Sequence, residues 1–348
     1  MPTPTIPDGS KQMYINLYTG TSGSQTLTNN SPSNPSGFQS GMQWFKSRST
    51  ATSQIAHDVL RGTAGVNRLL PNSTVAESTN GDGFVSINSN GFSLDGGGGG
   101  GDVNTSGRTY VAWQWAAPAT GTSNTSGSIT SSVSANTTSG FSVVTFTGGS
   151  GNQTVGHGLG VAPSMVVLKR RDSTSAWLTY HSALSNPATS FLSLNTTDAV
   201  TSATPFWGAS GMTSTTIGTS DNATINGATY VAYCWASIAG YSAFGSYIGN
   251  GSADGPFVYT GFQPRWLMIK VTNVTDNWYV IDTARQTYNV IGNTLCPNLS
   301  NAEFSLTIAD VLSNGFKIRN TGSNLNGSGN TVIYAAFASN PFKYANAF

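Results

Sequence analysis

The stretch "GRTYVAWQWAAP" (residues 107–118) is a run of aromatic and branched apolar side chains that opens on a glycine. Two other stretches resemble it closely, "GATYVAYCWASI" (227–238) and "GNTVIYAAFASN" (329–340). β-Branched and aromatic residues favour strands, and a strand that is apolar on both faces is typical of the covered centre of a sheet. The sequence therefore predicts one such central strand in each copy of an internal repeat.

Other landmarks recur in the same order and at nearly constant spacing. When Lys46, Lys169 and Lys270 are placed together, "MQWFKSR", "MVVLKRR" and "WLMIK" align around them. Several independent landmarks in one order are improbable by chance, so the chain is predicted to hold three copies of one unit. Twelve residues after the lysines stand Asp58, His181 and Asp282, and the closing strands align on Thr109, Thr229 and Thr331.

Each unit consists of short apolar runs divided by Gly, Asn, Ser and Pro. Many short strands with turn residues between them predict an all-β fold of three tandem β-sandwiches, jelly-roll-like or lectin-like. Helical periodicity is nearly absent, and segments 53–70 and 301–313 are expected to hold a turn or short helix at most. The predicted divisions are an N-terminal arm (1–12), repeat 1 (13–117), a flexible or extended Ser/Thr/Gly linker (118–140), repeat 2 (141–239) and repeat 3 (240–348). Repeats 2 and 3, joined almost directly, are expected to be held together more rigidly than repeats 1 and 2.

Composition excludes several classes of function. Charged residues make up 8% of the 348 residues and the net charge is +1, with Lys and Arg scattered, so a nucleic-acid partner is not expected. No apolar run approaches the roughly 20 residues that span a bilayer, and "MPTPTIPDGSKQ" has no signal-peptide pattern. Two cysteines do not support a disulfide framework, and Cys234 is predicted to be a small buried hydrophobic residue.

The two glutamates, Glu77 and Glu303, occupy equivalent positions in repeats 1 and 3. A glycosidase needs two carboxylates that flank one bond. One glutamate in each of two copies fits a structural hydrogen bond better than half of a catalytic pair.

Asp58 and Asp282 are also equivalent, and each is followed three residues later by an arginine, Arg61 and Arg285. A local ion pair that ties down a loop is the expected role of each pair. Repeat 2 has His181 at the aspartate position, so the pair is not indispensable.

The remaining reactive residue types give no catalytic pattern. His57, His157 and His181 lack the close spacing of metal ligands, so no metal site is predicted. The six glycines Gly96–Gly101 are not followed by the Lys-Ser/Thr of a phosphate loop and are expected to form a flexible loop. No catalytic residue and no cofactor are predicted.

Repetition also separates candidate binding residues from scaffold residues. Trp177 and Trp278 are equivalent, eight residues after their lysines, and are expected to lie in the core. Trp207, in "TPFWGASG" (204–211), has no counterpart and lies in a turn-rich segment. An exposed loop tryptophan is a typical recognition residue, so Trp207 is the candidate for binding a receptor or glycan. The alternative is that Trp207 packs onto its own domain.

Five further phrases extend over most of the chain, and they are "GSITSSVSANTTSGFSVVTFTG" (127–148), "VGHGLGVAPSMVVLKRRD" (155–172), "FGSYIGNGSADGPFVYTGFQPRWLMIK" (244–270), "LSNGFKIRNTG" (312–322) and "YAAFASNPF" (334–342). With these phrases the chain resembles a repeat family of tailed bacteriophages, especially marine and cyanobacterial ones, from about residue 13 to 342. The resemblance implies a virion structural protein of the tail or tail fibres with lectin-like sandwiches, and it brings no catalytic residues.

The expected function is therefore a tail fibre or other exterior appendage of the virion that contacts the host surface, where its partner would be a glycan or a protein. The N-terminal arm is expected to dock on other virion proteins, and a homo-oligomer, a trimer by analogy with fibres, is expected. One alternative is a capsid decoration protein, head fibre or tail accessory protein without a receptor. Another is a polysaccharide depolymerase with a carboxylate cluster assembled between subunits.

Overall fold

The structure, a computed structural model, describes residues 6, 8–62, 67–79, 81–96, 102–322 and 324–338. Over these residues the chain forms 25 strands and a 3₁₀ turn (Gly9–Lys11), so the predicted all-β fold is confirmed. None of the residues that are described belongs to a helix long and apolar enough to cross a membrane.

Repeat 1 has an inner sheet of order β1-β7-β3-β4 and an outer sheet of order β2-β6-β5. Tyr18 and Phe45 of the inner sheet and Phe92 of the outer sheet meet in a core between the two sheets. The strands are β1 (Met13–Thr19), β2 (Gln25–Thr28), β3 (Ser40–Ser47), β4 (Ile55–Asp58), β5 (Phe84–Asn88), β6 (Gly91–Leu94) and β7 (Thr109–Ala116).

Repeat 2 has the same inner order, β10-β17-β12-β13, within a longer sheet of eight strands, and β11 pairs with β16 opposite it. The complete order of the long sheet is β15-β14-β13-β12-β17-β10-β9-β8. The strands are β8 (Thr122–Asn124), β9 (Ser131–Asn136), β10 (Phe141–Thr147), β11 (Gln153–Gly156), β12 (Met165–Arg170), β13 (Trp177–His181), β14 (Ser190–Ser193), β15 (Thr201–Ser202), β16 (Thr216–Thr219) and β17 (Thr229–Trp235).

Repeat 3 has an inner sheet of order β18-β25-β20-β21 and an outer sheet of order β19-β24-β23-β22. The first and last strands of the repeat, β18 and β25, are neighbours, as in a jelly roll. Most other neighbouring strands follow one another along the chain as hairpins, so the strand order is only partly jelly-roll-like. The strands are β18 (Ser242–Ile248), β19 (Phe257–Tyr259), β20 (Pro264–Val271), β21 (Trp278–Asp282), β22 (Ile291–Thr294), β23 (Phe304–Leu312), β24 (Gly315–Ile318) and β25 (Thr331–Ala338).

The repeated phrase forms β7, β17 and β25, and each of these strands lies between two others of its inner sheet. On β7, Val111, Trp113 and Trp115 face a core that all three repeats share. Tyr110 and Ala112 face the separate core of repeat 1. The predicted central strand is therefore confirmed, and two cores explain why both of its faces are apolar.

The shared core joins the three inner sheets around one axis. The ring of Trp115 lies 5.7 Å from that of Trp235 in repeat 2, and 5.6 and 5.9 Å from those of Trp266 and Phe337 in repeat 3, measured between centroids. An enclosed cavity among these rings holds about 10 Å³, which is room for one water molecule at most. The axis is therefore packed core, and the expectation that repeats 1 and 2 are more loosely joined than repeats 2 and 3 is not supported.

The segment 118–140 is not a flexible linker, because it contains β8 and β9. β9 pairs with β10 along its length, and the side chain of Val133 is buried in the core of repeat 2. A segment rich in serine and threonine has the composition of a linker. β-Branched threonine is also compatible with a strand. The residues of these two strands are extended, as one form of the prediction had it, but they are paired strands of repeat 2 and not a linker.

The two segments expected to hold a turn or short helix at most have no helix among their described residues, and each contains a strand. Residues 301–313 contain β23, whose Ile308 and Val311 are buried in the core of repeat 3. Residues 53–70 contain β4, and positions 63–66 lie outside the described residues. The glycine run predicted to be a flexible loop lies, from residue 97 to 101, outside them too.

The predicted N-terminal arm is partly packed on the body of the protein. Ile6 is buried in the shared core, and Ser10 hydrogen-bonds to Ser31 and Ser33 of repeat 1. Residues 1–5 and 7 lie outside the described residues. Docking of the arm on a virion protein stays a prediction.

Candidate functional site

The three repeats close into a ring through equivalent backbone hydrogen bonds. Each bond joins the residue two positions after a repeat's buried lysine to the preceding repeat, at the position that Glu77 and Glu303 occupy in repeats 1 and 3. Repeat 1 contacts repeat 2, repeat 2 contacts repeat 3, and repeat 3 contacts repeat 1, so the arrangement is cyclic. The amide-to-carbonyl bonds are Glu77 to Arg171 (2.8 Å), Val200 to Thr272 (2.7 Å) and Glu303 to Arg48 (2.8 Å).

Both glutamates reinforce the ring with ion pairs between repeats. Arg171 donates two hydrogen bonds to Glu77, at 2.9 and 3.0 Å, and the buried Arg61 donates a third at 3.0 Å. Glu303 has the same environment with Arg48 and Arg285. Burial raises the pKa of Glu77, but the hydrogen bonds and charges of its arginines outweigh burial and lower the pKa overall. The structural role predicted for the glutamates is confirmed.

The residues twelve positions after the lysines also connect neighbouring repeats. Asp58 pairs with Arg61 as predicted and in addition accepts a hydrogen bond of 2.6 Å from Tyr233 of repeat 2. Asp282 pairs with Arg285 and accepts from the indole of Trp113 at 3.0 Å. The ion pairs are therefore local, as expected, but their aspartates also join repeats.

Repeat 2 completes this set with a histidine. The closing strand of repeat 3 has an alanine, Ala335, at the position equivalent to Trp113 and Tyr233. Ala335 has no side-chain donor that could bond to repeat 2. Nε2 of His181 instead lies 3.0 Å from the carbonyl oxygen of Tyr334. Burial lowers the pKa of His181 to about 4, so the imidazole is neutral and donates to that oxygen at neutral pH.

The equivalent tryptophans are buried, as predicted, and they too join repeats. Nε1 of Trp177 donates to the carbonyl of Leu70 at 2.9 Å, and Nε1 of Trp278 donates to that of Ser193 at 3.0 Å. Gln54 stands at the equivalent position of repeat 1, and its amide donates to the carbonyl of Cys296. These residues are scaffold.

The three aligned lysines are almost fully buried, and backbone carbonyls accept their hydrogen bonds. Nζ of Lys169 donates to Thr74 of repeat 1 at 2.9 Å, and Nζ of Lys270 donates to Thr197 of repeat 2 at 3.4 Å. Burial lowers the pKa of each of the three lysines to about 8. Lys46 donates within its own repeat, to Ser47 at 2.7 Å. Two of these cations thus lie at contacts between repeats.

The other histidines also have structural partners. The two ring nitrogens of His57 lie 3.0 Å from the carbonyl of Asn67 and 3.0 Å from the carboxylate of Asp82. His157 accepts from the amide of Leu159, and burial lowers its pKa. Among the described residues, no three His, Cys, Asp or Glu side chains are grouped as a metal site would require.

Trp207 is fully buried, so its candidacy as an exposed binding residue is wrong, and the alternative that it packs onto its own domain is confirmed. Its ring packs edge-on against Phe206 and Tyr180 in the core of repeat 2, and Nε1 donates to the carbonyl of Ser190 at 2.9 Å. The turn-rich sequence around Trp207 indicated a loop, but a loop that covers the end of a sandwich also buries its largest side chain.

A different set of unrepeated residues is exposed on the outer sheet of repeat 3. The phrase "SNGF" occurs at the start of β6 in repeat 1 and of β24 in repeat 3, and it aligns Gly91 with Gly315. In the sheets, Thr28 lies opposite Gly91 and Tyr259 lies opposite Gly315. Two residues earlier on the same strands, Thr26 corresponds to Phe257.

The outward side of this sheet is defined by the alternation of its side chains. Val258, Val311 and Phe316 are buried in the core of repeat 3. Their neighbours along the strands therefore point away from the core. We call this surface the repeat 3 face, and its residues are Phe257, Tyr259, Asp310, Leu312 and Lys317.

The two aromatic rings of the repeat 3 face are about half exposed, 48% for Phe257 and 54% for Tyr259. A Cβ atom at Gly315 would lie 3.0 Å from Cζ of Phe257, so this ring lies against bare backbone. A Cβ at Gly261 would lie 3.5 Å from the hydroxyl of Tyr259. Glycine at position 315 lets the ring of Phe257 lie close to the sheet, whereas the contact at Gly261 is an ordinary van der Waals distance.

Charged side chains lie beside the rings and pair with one another. Nζ of Lys317, the cross-strand neighbour of Phe257, lies 2.6 Å from the carboxylate of Asp254. Nε of Arg319 donates to Asp310 at 2.6 Å. Two cations and two anions make this edge of the face polar without a net charge.

Repeat 1 has small hydroxyl and amide groups on the equivalent surface. Ser93 replaces Lys317 there and hydrogen-bonds to Thr26 at 3.1 Å and to Asn88 at 2.9 Å. These groups satisfy each other and offer no aromatic surface. The contrast marks the repeat 3 face as the candidate functional site.

Comparison with known families covers nearly the whole chain. The model of the family described as Domain of unknown function (DUF7483) matches residues 8–341. The chain belongs to the DUF7483 family. Neither a curated protein nor a solved structure matches it.

In this DUF7483 chain, "GPFVYTG" (255–261) carries a sequence signal for the repeat 3 face, because it departs from the equivalent stretch of repeat 1. Aligning the repeats on "SNGF" as well as on the lysines exposes the change from threonine to aromatic residues.

Proposed function

We propose that this chain is a structural protein of a bacteriophage virion, part of a tail fibre or other exterior appendage, and that the repeat 3 face contacts the host surface. The observation that carries the proposal is the difference between repeats. A shared apolar core and the ion pairs of Glu77 and Glu303 hold the ring together, whereas the repeat 3 face has exposed aromatic rings where repeat 1 has threonines. A stable scaffold with one altered exposed face suits recognition.

The sequence supports a virion setting for this scaffold. The phrases that resemble those of phage tail proteins extend over most of the chain, and its charged fraction of 8% is far below the roughly 25% of ordinary soluble domains. A surface of hydroxyl and amide groups is suited to the exterior of a particle.

The ring bears on the expected homotrimer. Fibres are commonly trimers, but here one chain places three repeats around one axis. This favours a monomer, because one chain supplies the three units that a trimeric fibre assembles from three chains. A light-scattering mass near 36.2 kDa in solution supports this, and a mass three times larger supports the homotrimer.

The location is tested by immunogold electron microscopy of intact virions with antibodies against the purified chain. Label at the distal tail supports the proposal. Label over the capsid contradicts it and favours a decoration protein without a receptor.

A further inference from the structure

We infer that the repeat 3 face is a carbohydrate-binding site, in which Phe257 and Tyr259 bind the rings of two adjacent sugar units of a neutral polysaccharide. The inference rests on the proposed host-contact function, because it names the class of ligand for the same face.

The geometry of β19 suits stacking against sugar rings. Residues two apart on a strand point to the same side and lie roughly 7 Å apart. The faces of aromatic rings carry negative charge density, and pyranose rings present slightly positive C–H groups on their apolar side. Phe257 and Tyr259 thus form two adjacent platforms, and the ring of Phe257 lies close to the sheet at Gly315.

The flanking groups supply the polar half of a sugar site. Carboxylates accept hydrogen bonds from sugar hydroxyls, whereas ammonium and guanidinium groups donate to sugar oxygens. Asp254 is exposed and bonded to Lys317, and Asp310 is bonded to Arg319. Donors and acceptors are therefore already held side by side next to the rings, which lowers the entropy cost of binding.

The same charges argue against other classes of partner. Lys317 and Arg319 are each paired with a carboxylate, so the face lacks the net positive charge that a phosphate backbone requires. A protein partner of standard size buries about 800 Å² on each side, more than two half-exposed rings provide. A neutral polymer with many hydroxyl groups fits best.

The equivalent surface of repeat 1 supplies the design of the test. The double variant Phe257→Thr/Tyr259→Thr installs the residues that repeat 1 has at those positions, so the strand is expected to fold. The control is Tyr288→Thr, which removes a tyrosine that is 84% exposed but lies outside β19 and β24.

The purified full chain is applied to an array of bacterial O-chain and capsular polysaccharides, and the affinity for the best-bound polysaccharide is then measured by calorimetry. We expect binding that salt affects little, a loss of affinity of at least about tenfold in the double variant, and no change in Tyr288→Thr. An unchanged melting temperature shows that the double variant is folded.

Two results would overturn the inference: no polysaccharide bound, or equal affinity in the double variant and the natural chain. Failure here is distinguishable from failure of the proposed function. Gold label at the tail without sugar binding would support the proposed virion function and contradict the sugar site. Sugar binding by a chain that is absent from the tail would support the sugar site and contradict the proposed function.

Discussion

At the scale of single residues, the hydroxyl of Tyr233 is a direct test of the contact between repeats 1 and 2. It donates to the buried carboxylate of Asp58 at 2.6 Å. Tyr233→Phe should lower the free energy of unfolding by about 1.5–3 kcal/mol, the usual contribution of a hydrogen bond to a charged group. Chemical denaturation measures the change.

The matched control is Tyr241→Phe. Tyr241 is equally buried in the shared core, but its hydroxyl has no hydrogen-bond partner among the described residues. Removing that hydroxyl should leave stability unchanged or raise it. Equal losses in both variants would show that the Tyr233 contact has no special role.

His181 predicts how stability depends on pH. Its pKa is about 4 in the folded protein because it is buried, against about 6.5 when unfolded. As pH falls from 6.5 towards 4, His181 becomes protonated in the unfolded chain but stays neutral in the folded chain. The folded state therefore loses stability. His157 acts in the same direction, since burial lowers its pKa also.

His181→Gln, whose amide stays neutral, should therefore lose less stability than the natural chain between pH 7 and pH 4.5. Denaturant midpoints across this range measure the difference. Identical slopes for the two proteins would contradict the buried, neutral state of His181.

At the scale of elements, the ion pairs between repeats can be compared with a surface pair. Glu77→Gln leaves the buried Arg61 and the partly buried Arg171 short of a charge partner, so we expect a loss of about 2–4 kcal/mol. Asp172→Asn removes the exposed partner of Arg170 and should cost less than about 1 kcal/mol. A comparable loss from both substitutions in denaturant unfolding would refute the role of Glu77 in the ring.

The strands that sequence predicted and the strands that it missed differ in their pattern. The lysine-centred strands and the closing strands are long, apolar and repeated three times, so their central position could be inferred. β8 and β9 are short and rich in serine and threonine, and residues 301–313 have no apolar run of the closing-strand kind. In both segments the neighbouring strand, which a local pattern does not contain, determines the conformation.

At the scale of the whole molecule, sequence predicted three units but not the ring. The contacts that close it join residues far apart in sequence, such as Arg48 and Glu303, and local periodicity carries no information about them. Trp207 shows the same limit, because a turn-rich sequence does not reveal whether a loop covers a core. The repeat 3 face can be predicted from sequence, since an alignment of the repeats reveals its two aromatic residues.

The shared core predicts that the repeats unfold together. Trp115 contacts aromatic rings of both other repeats, so the loss of one repeat exposes the core faces of the other two. We expect one thermal transition whose calorimetric and van't Hoff enthalpies agree. Two or three separate transitions would show that the repeats are independent domains.

The central claim is that a ring of three repeats presents one altered face to a host cell. The most direct test uses the phage that is proposed to carry this chain, and it measures the rate of adsorption to the host in the presence of excess purified chain, natural or Phe257→Thr/Tyr259→Thr. The natural chain should slow adsorption in proportion to its concentration, and the variant should not. Equal inhibition by both proteins, or none by either, would contradict the claim.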